Sequence, residues 1–126
     1  YIELRETPNT NRISVIKGNK FSTNLPEDTC DKIIIRETFH HFSDIDTMMT
    51  DIYGVLKENG KLYITEPYTD QTYLNSVCKT LHYNKSDIIE ILLRHNFVFV
   101  KEHILTTWPW WDDRHDPMVI YVFEKK

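Results

Sequence analysis

Three consecutive isoleucines, Ile33 to Ile35, flanked by Lys32 and Arg36, constrain this chain more than any other feature. A run that is apolar on both faces suits an interior strand of a parallel sheet, whereas a half-exposed strand would alternate. The residues after it narrow the choice. Ser43 predicts a helix N-cap, with Asp44 and Asp46 placed to favour the positive end of the helix dipole. Ile45, Met48, Met49, Ile52, Val55 and Leu56 then recur at i, i+3, i+4, i+7, i+10 and i+11, the apolar stripe of an amphipathic helix. Asn59-Gly60 reads as its stop, and Lys61 to Thr65 as a second strand ending at Glu66-Pro67. Strand, helix and strand joined this closely make a βαβ unit with parallel strands and a right-handed crossover.

The other segments read as cover for that unit. Tyr1 to Glu6 could be the tail of a helix, broken by Pro8, Asn9 and Asn11. Ile13 to Lys17 is β-branched and apolar and predicts a short strand, ended by Gly18-Asn19. Lys20 to Thr29 reads as a loop. Tyr73, Leu74, Val77 and Leu81 stand at helical spacing and predict a helix within Tyr68 to Tyr83. Ser86 predicts the cap of a further helix with the stripe Ile88, Ile89, Leu92 and Leu93, closing at His95-Asn96. Phe97 to Leu105 and Met118 to Glu124 read as strands of an antiparallel hairpin.

Composition limits function more than it defines it. The 126 residues make one domain, 1–126, long enough for a real core. A net charge of -4 with scattered basic residues argues against a nucleic-acid groove, which needs clustered Lys and Arg. No apolar run approaches the roughly 18 residues of a membrane span, and no signal peptide is visible. Cys30 and Cys78 lack CxxC spacing and read as free thiols in a reducing, cytoplasmic compartment. The first residue is Tyr and the pattern starts mid-course, so the chain reads as a piece of a longer product.

Gly18-Asn19, Leu25-Pro26, Asp31 to Arg36, Phe39-His40-His41-Phe42, Val55 to Gly60 and Glu66-Pro67 succeed one another in an order and spacing that resembles class I S-adenosylmethionine-dependent methyltransferases. Arg94 to Phe97 and the closing hairpin are similar to the end of that domain. The resemblance implies a Rossmann-like α/β fold, a three-layer sandwich with a mostly parallel sheet and a C-terminal antiparallel hairpin. The family's strands lie in the order third, second, first, fourth, fifth, seventh, sixth, and this chain would supply the third to the seventh. The family's glycine-rich cofactor loop and the acidic end of its second strand are missing, since the three glycines form no GxGxG run. The domain is therefore incomplete on its N-terminal side. Its Ile33 to Ile35 strand is left as an apolar edge, expected to pair with an upstream segment or a second copy, or to be covered by a shift of the first strand.

What the resemblance implies about chemistry is methyl transfer from S-adenosylmethionine to an unidentified small-molecule acceptor. Asn19, Lys20 and Phe21 would hold the adenine, with Asn19 accepting a hydrogen bond from its amino group. Arg36, Glu37 and Thr38 would line the methionine and sulfonium region, at the strand end where open α/β sheets place ligands. His41 is the candidate general base, since imidazole titrates near neutrality, and Glu66 a second candidate across the cleft from it. His40, Tyr68 and Tyr73 are candidates for the acceptor pocket, together with Trp108, Trp110 and Trp111 as an aromatic binding loop, lid or interface. No metal is expected, because adjacent histidines on a turn point apart and no third ligand has suitable spacing. The competing reading is a methyltransferase-like interaction or oligomerisation domain that has lost the cofactor. A different nucleotide-binding α/β protein is disfavoured by the lack of a phosphate-cradling loop.

Overall fold

The structure is a computed structural model and describes residues 12–105 and 117–126. The elements are β1 (Cys30–Arg36), a 3-10 turn (Phe39–His41), α1 (Ile45–Val55), β2 (Leu56–Pro67), β3 (Tyr73–Leu74), β4 (Leu81–His82), α2 (Lys85–Arg94), β5 (Phe97–Leu105) and β6 (Met118–Lys125). Four strands form one sheet in the order β1-β2-β6-β5, and β3 and β4 form a separate pair. This is the fourth, fifth, seventh, sixth part of the expected order. β1 and β2 are parallel, with Ile33 beside Leu62 and Ile35 beside Ile64. β6 runs antiparallel to both β2 and β5.

Period-two alternation sorts the sheet into two faces. Leu62, Ile64, Tyr121 and Phe123 lie on one face with Ile35. There they join Met48, Met49 and Ile52 of α1 and Ile88, Ile91 and Leu92 of α2 in one core cluster. Met118, Val122 and Thr65 on the opposite face are buried too, so both sides of the central strands are covered, as a sandwich requires. Phe99 meets Phe123 edge-on, with ring centroids 5.9 Å apart.

Several local expectations are corrected. α1 is capped by Asp44 and not Ser43, its carboxylate accepting from the Thr47 amide at 3.0 Å. α2 is capped by Asn84 and not Ser86, through the Asp87 amide. In both cases the acceptor sits three residues before the amide that needs it, which is the reach of a short polar side chain. Asn96 closes α2 with φ 65°, as its type suggested. α1 stops at Val55, and Asn59-Gly60 instead lies in an excursion of β2 between Leu56, which pairs with Cys30, and Lys61, which pairs with Lys32. Gly60 is needed there for close approach: a Cβ would sit 2.5 Å from Leu56 Cδ1 and 2.9 Å from the Lys57 carbonyl oxygen.

Two elements differ in kind. Ile13 to Lys17 forms no strand, and Ile13, Val15 and Ile16 are exposed. The β preference of such residues is realised only against a partner strand, and the described residues offer this one none. The stretch 68–83 is no helix either. The buried Asn75 side chain accepts from the amides of Val77 and Cys78 at 2.8 and 3.1 Å, which diverts the backbone into a turn between β3 and β4. The expected stripe faces solvent, with Val77 80% exposed. The Tyr1 to Glu6 reading falls outside the described residues.

β1 is an edge strand among the described residues, and Ile34 is 70% exposed. The expected cover by a shifted first strand is absent there. Instead, the segment before β1 is tied down by Asp51 of α1, which accepts from the Ser22 hydroxyl and from the amide and hydroxyl of Thr23.

Candidate functional site

Two groups of side chains meet at the carboxyl end of the parallel pair. The first lines a cleft of about 470 Å³ along β1, bounded by Gly18-Asn19, Ile33 to Arg36, Thr38, Phe42 and the Met48–Ile52 side of α1. Its size and its mix of apolar walls with a few polar groups suit a small-molecule or cofactor pocket. Of the predicted cofactor residues, Asn19, Arg36 and Thr38 line it. Lys20, Phe21 and Glu37 do not; Phe21 borders a shallower depression with Asp46, Thr47, Thr50 and Asp51.

The Asn19 carboxamide oxygen accepts from the amides of Phe21 and Ser22 at 2.8 and 3.0 Å. That occupies both of its lone pairs, so the expected acceptor role is corrected, and its NH2 group is what remains to offer a ligand. Thr38 donates to the Arg36 carbonyl at 2.7 Å. Glu37 sits at φ 50°, a left-handed conformation that costs a residue with a Cβ free energy and clusters at functional positions. Its amide donates to the Thr65 carbonyl at 2.9 Å, which stitches the two strand ends together. Burial pushes its carboxyl above the ordinary value; the neighbouring Arg36 pulls it down, Glu66 raises it and His40 lowers it.

The second group centres on Glu66. Its carboxylate does not face His41 across a cleft, as expected, but holds His40: Nδ1 lies 2.6 Å from Oε2, with side chains 8% and 5% exposed. A carboxylate can only accept, so Nδ1 donates and the lone pair of the neutral ring is on Nε2. The 3-10 turn after β1 makes this possible by bringing His40 back over the end of β2. His41 packs against His40 with ring centroids 4.1 Å apart, and His82 against the same ring at 4.2 Å, both pairs tilted. Tyr73 lies 5.3 Å from His82. Tyr68 donates from its hydroxyl to Asp70 at 2.6 Å, a bond that raises its pKa. Trp108, Trp110 and Trp111 lie outside the described residues.

The sequence reading missed His82 and Cys78, whose Sγ is 3.3 Å from His82 Nε2. Their C-x3-H spacing was the available signal, hidden by the helical periodicity of Leu74, Val77 and Leu81. The expectation that no third ligand accompanies the histidines is therefore corrected: the turn brings Cys78 and His82 beside His40. No helix among the described residues is long and apolar enough to cross a membrane.

A family model described as a methyltransferase domain matches residues 2–64. The chain belongs to the methyltransferase domain family. Solved structures support the Rossmann-like methyltransferase fold beyond those residues. A SAM-dependent methyltransferase from Leishmania major matches with TM-score 0.69 at 19% identity, over 85% of this chain and 43% of that one. A 1,6-didemethyltoxoflavin-N1-methyltransferase from Burkholderia thailandensis, solved with bound 1,6-didemethyltoxoflavin and S-adenosylhomocysteine, matches with TM-score 0.66 at 16% identity, over 79% and 45%. The [4+2]-cyclase SpnF matches with TM-score 0.71 at 13% identity, over 92% and 58%. This methyltransferase domain thus spans between 43% and 58% of the length of these structures. No curated protein sequence matches it.

Proposed function

We propose that this methyltransferase domain serves S-adenosylmethionine-dependent methyl transfer to a small-molecule acceptor, in a cytoplasmic setting. The observation that carries the reading is the convergence of Arg36 to His41 and Glu66 at one end of the parallel pair, with the cleft opening beside them. A neighbour of the same fold that holds S-adenosylhomocysteine supports the choice of cofactor.

The cleft offers such a cofactor apolar walls for a ring and a few polar groups. Asn19, Arg36 and Thr38 would hold it. When bound, it supplies an electrophilic methyl group on a sulfonium. Glu37 is then the nearest predicted carboxylate to favour a positive charge, and its raised pKa reflects the burial that would strengthen that interaction. His41 accepts the acceptor's proton, being less enclosed than His40, while the Glu66–His40 pair fixes the turn that carries it. His40, Tyr68 and Tyr73 form the acceptor side. Transfer in line needs chiefly alignment and exclusion of water, so one base suffices.

Calorimetry with S-adenosylhomocysteine tests this on two proteins: this chain, and one extended at its N-terminus by a strand and glycine-rich loop. Binding by the extended protein, weakened by Thr38→Val, supports the reading. Binding by neither overturns it in favour of an interaction domain.

A further inference from the structure

We propose that His40, Cys78 and His82 form a binding site for a thiophilic divalent transition metal, zinc by preference, with Glu66 as the carboxylate that orients His40. One donor atom from each of the three side chains lies within 4.8 Å of the others. Bonds of about 2.3 Å to sulfur and 2.0–2.1 Å to nitrogen, at a tetrahedral angle, put the two donors about 3.6 Å apart. The 3.3 Å between Cys78 Sγ and His82 Nε2 is already close to that. Two nitrogens on the same ion stand about 3.4 Å apart, so no separation in the trio needs to contract by more than roughly 1.5 Å. The His40 and His82 rings already lie together, with centroids 4.2 Å apart and planes tilted by 34°.

The surroundings supply the second line of argument. Metal-ligating imidazoles characteristically donate their other nitrogen to a carboxylate, which fixes the ring and raises its basicity. His40 is held in that way by Glu66, which leaves Nε2 for an ion. Cys78 sits on a loop locked by Asn75, whose amide donates to the Thr80 carbonyl and whose carbonyl accepts from Lys79. The Thr80 hydroxyl lies 3.0 Å from Cys78 Sγ, placed to donate to a thiolate. The ladder that pairs Tyr73 with His82 and Leu74 with Leu81 holds both hairpin ligands in one unit. A thiolate with two imidazoles is a donor set that favours zinc over magnesium or calcium. Three protein ligands leave a fourth position open, the arrangement of zinc sites that handle water or a substrate. The proposal does not rest on methyl transfer, and its readout is metal binding alone.

The test is titration of the chelator-treated full chain with Co2+, with subsequent competition by Zn2+. The expected result is saturation at one ion per chain, with the strong visible bands of tetrahedral Co2+ and a thiolate-to-metal charge-transfer band, all lost on adding Zn2+. Cys78→Ser removes the charge-transfer band and Cys30→Ser keeps it. Glu66→Gln keeps the spectrum and weakens affinity about 10–100-fold. A purely octahedral spectrum, a charge-transfer band abolished by Cys30→Ser, or a band unchanged in Cys78→Ser overturns the site. Should Cys78→Ser fail to fold by circular dichroism, the spectra of the unmodified chain and of Cys30→Ser decide alone.

Discussion

At the scale of single residues, Glu37 carries the most conflict. Its backbone is left-handed, its carboxyl is partly buried, and a second carboxylate, Glu66, raises its pKa further. The sign of the pH effect is set by burial. The folded state holds the proton more tightly than the unfolded chain, so Glu37 favours folding below the ordinary value of 4.5, and that contribution is lost as pH rises through the raised pKa. Glu37→Gln is expected to unfold at higher temperature than the parent at neutral pH, with the difference vanishing in acid. Thermal melts across the acidic range check this, and an unchanged gap at all pH values would exclude the carboxyl as its source. Gly60 makes the opposite point. Its φ is ordinary, but Gly60→Ala drives a methyl group into Leu56 and the Lys57 carbonyl. A loss of about 1–3 kcal/mol in denaturant unfolding is expected. Neither property was readable from Asn59-Gly60 as a dipeptide, since a tight approach depends on what β2 passes.

At the scale of elements, what was legible is what depends on periodicity alone. The Met48, Met49 and Ile52 stripe, the parallel pairing of the isoleucine strand and the closing hairpin came through, whereas the interior place expected of that strand is corrected: among the described residues β1 is an edge, with Ile34 70% exposed. The stretch 68–83 did not come through, because one buried Asn75 outweighed four apolar residues at helical spacing. The same limit explains the site: strand ends are visible in sequence, whereas the meeting of His40 with Glu66, Cys78 and His82 depends on a turn set by side-chain hydrogen bonds. Asp51 shows how such bonds position an element. It fastens the segment carrying Asn19 to α1 through three acceptor contacts. Asp51→Ala is expected to cost about 1–3 kcal/mol and to open residues 12–25 to limited proteolysis at low protease concentration. Unchanged cleavage would mean that the segment is held elsewhere.

At the scale of the whole molecule, the edge of β1 is the exposed liability. Ile34 presents an apolar side chain on a strand whose outer hydrogen-bonding groups meet no ladder among the described residues. Ile34→Lys is expected to lower the concentration-dependent mass seen in light scattering without lowering the melting temperature. Equal association in both proteins would move the contact away from this edge. The other notable feature is the place of β6. The last strand of the sequence lies between β2 and β5 and, among the described residues, is the only link between the two halves of the sheet. On a ribosome, the βαβ unit and β5 would both emerge before the strand that joins them. The nascent chain must therefore carry two unjoined apolar edges until residues 118–125 clear the exit tunnel. Its exposure to aggregation is set by how late that closure comes, and shielding by a chaperone would matter most in that interval.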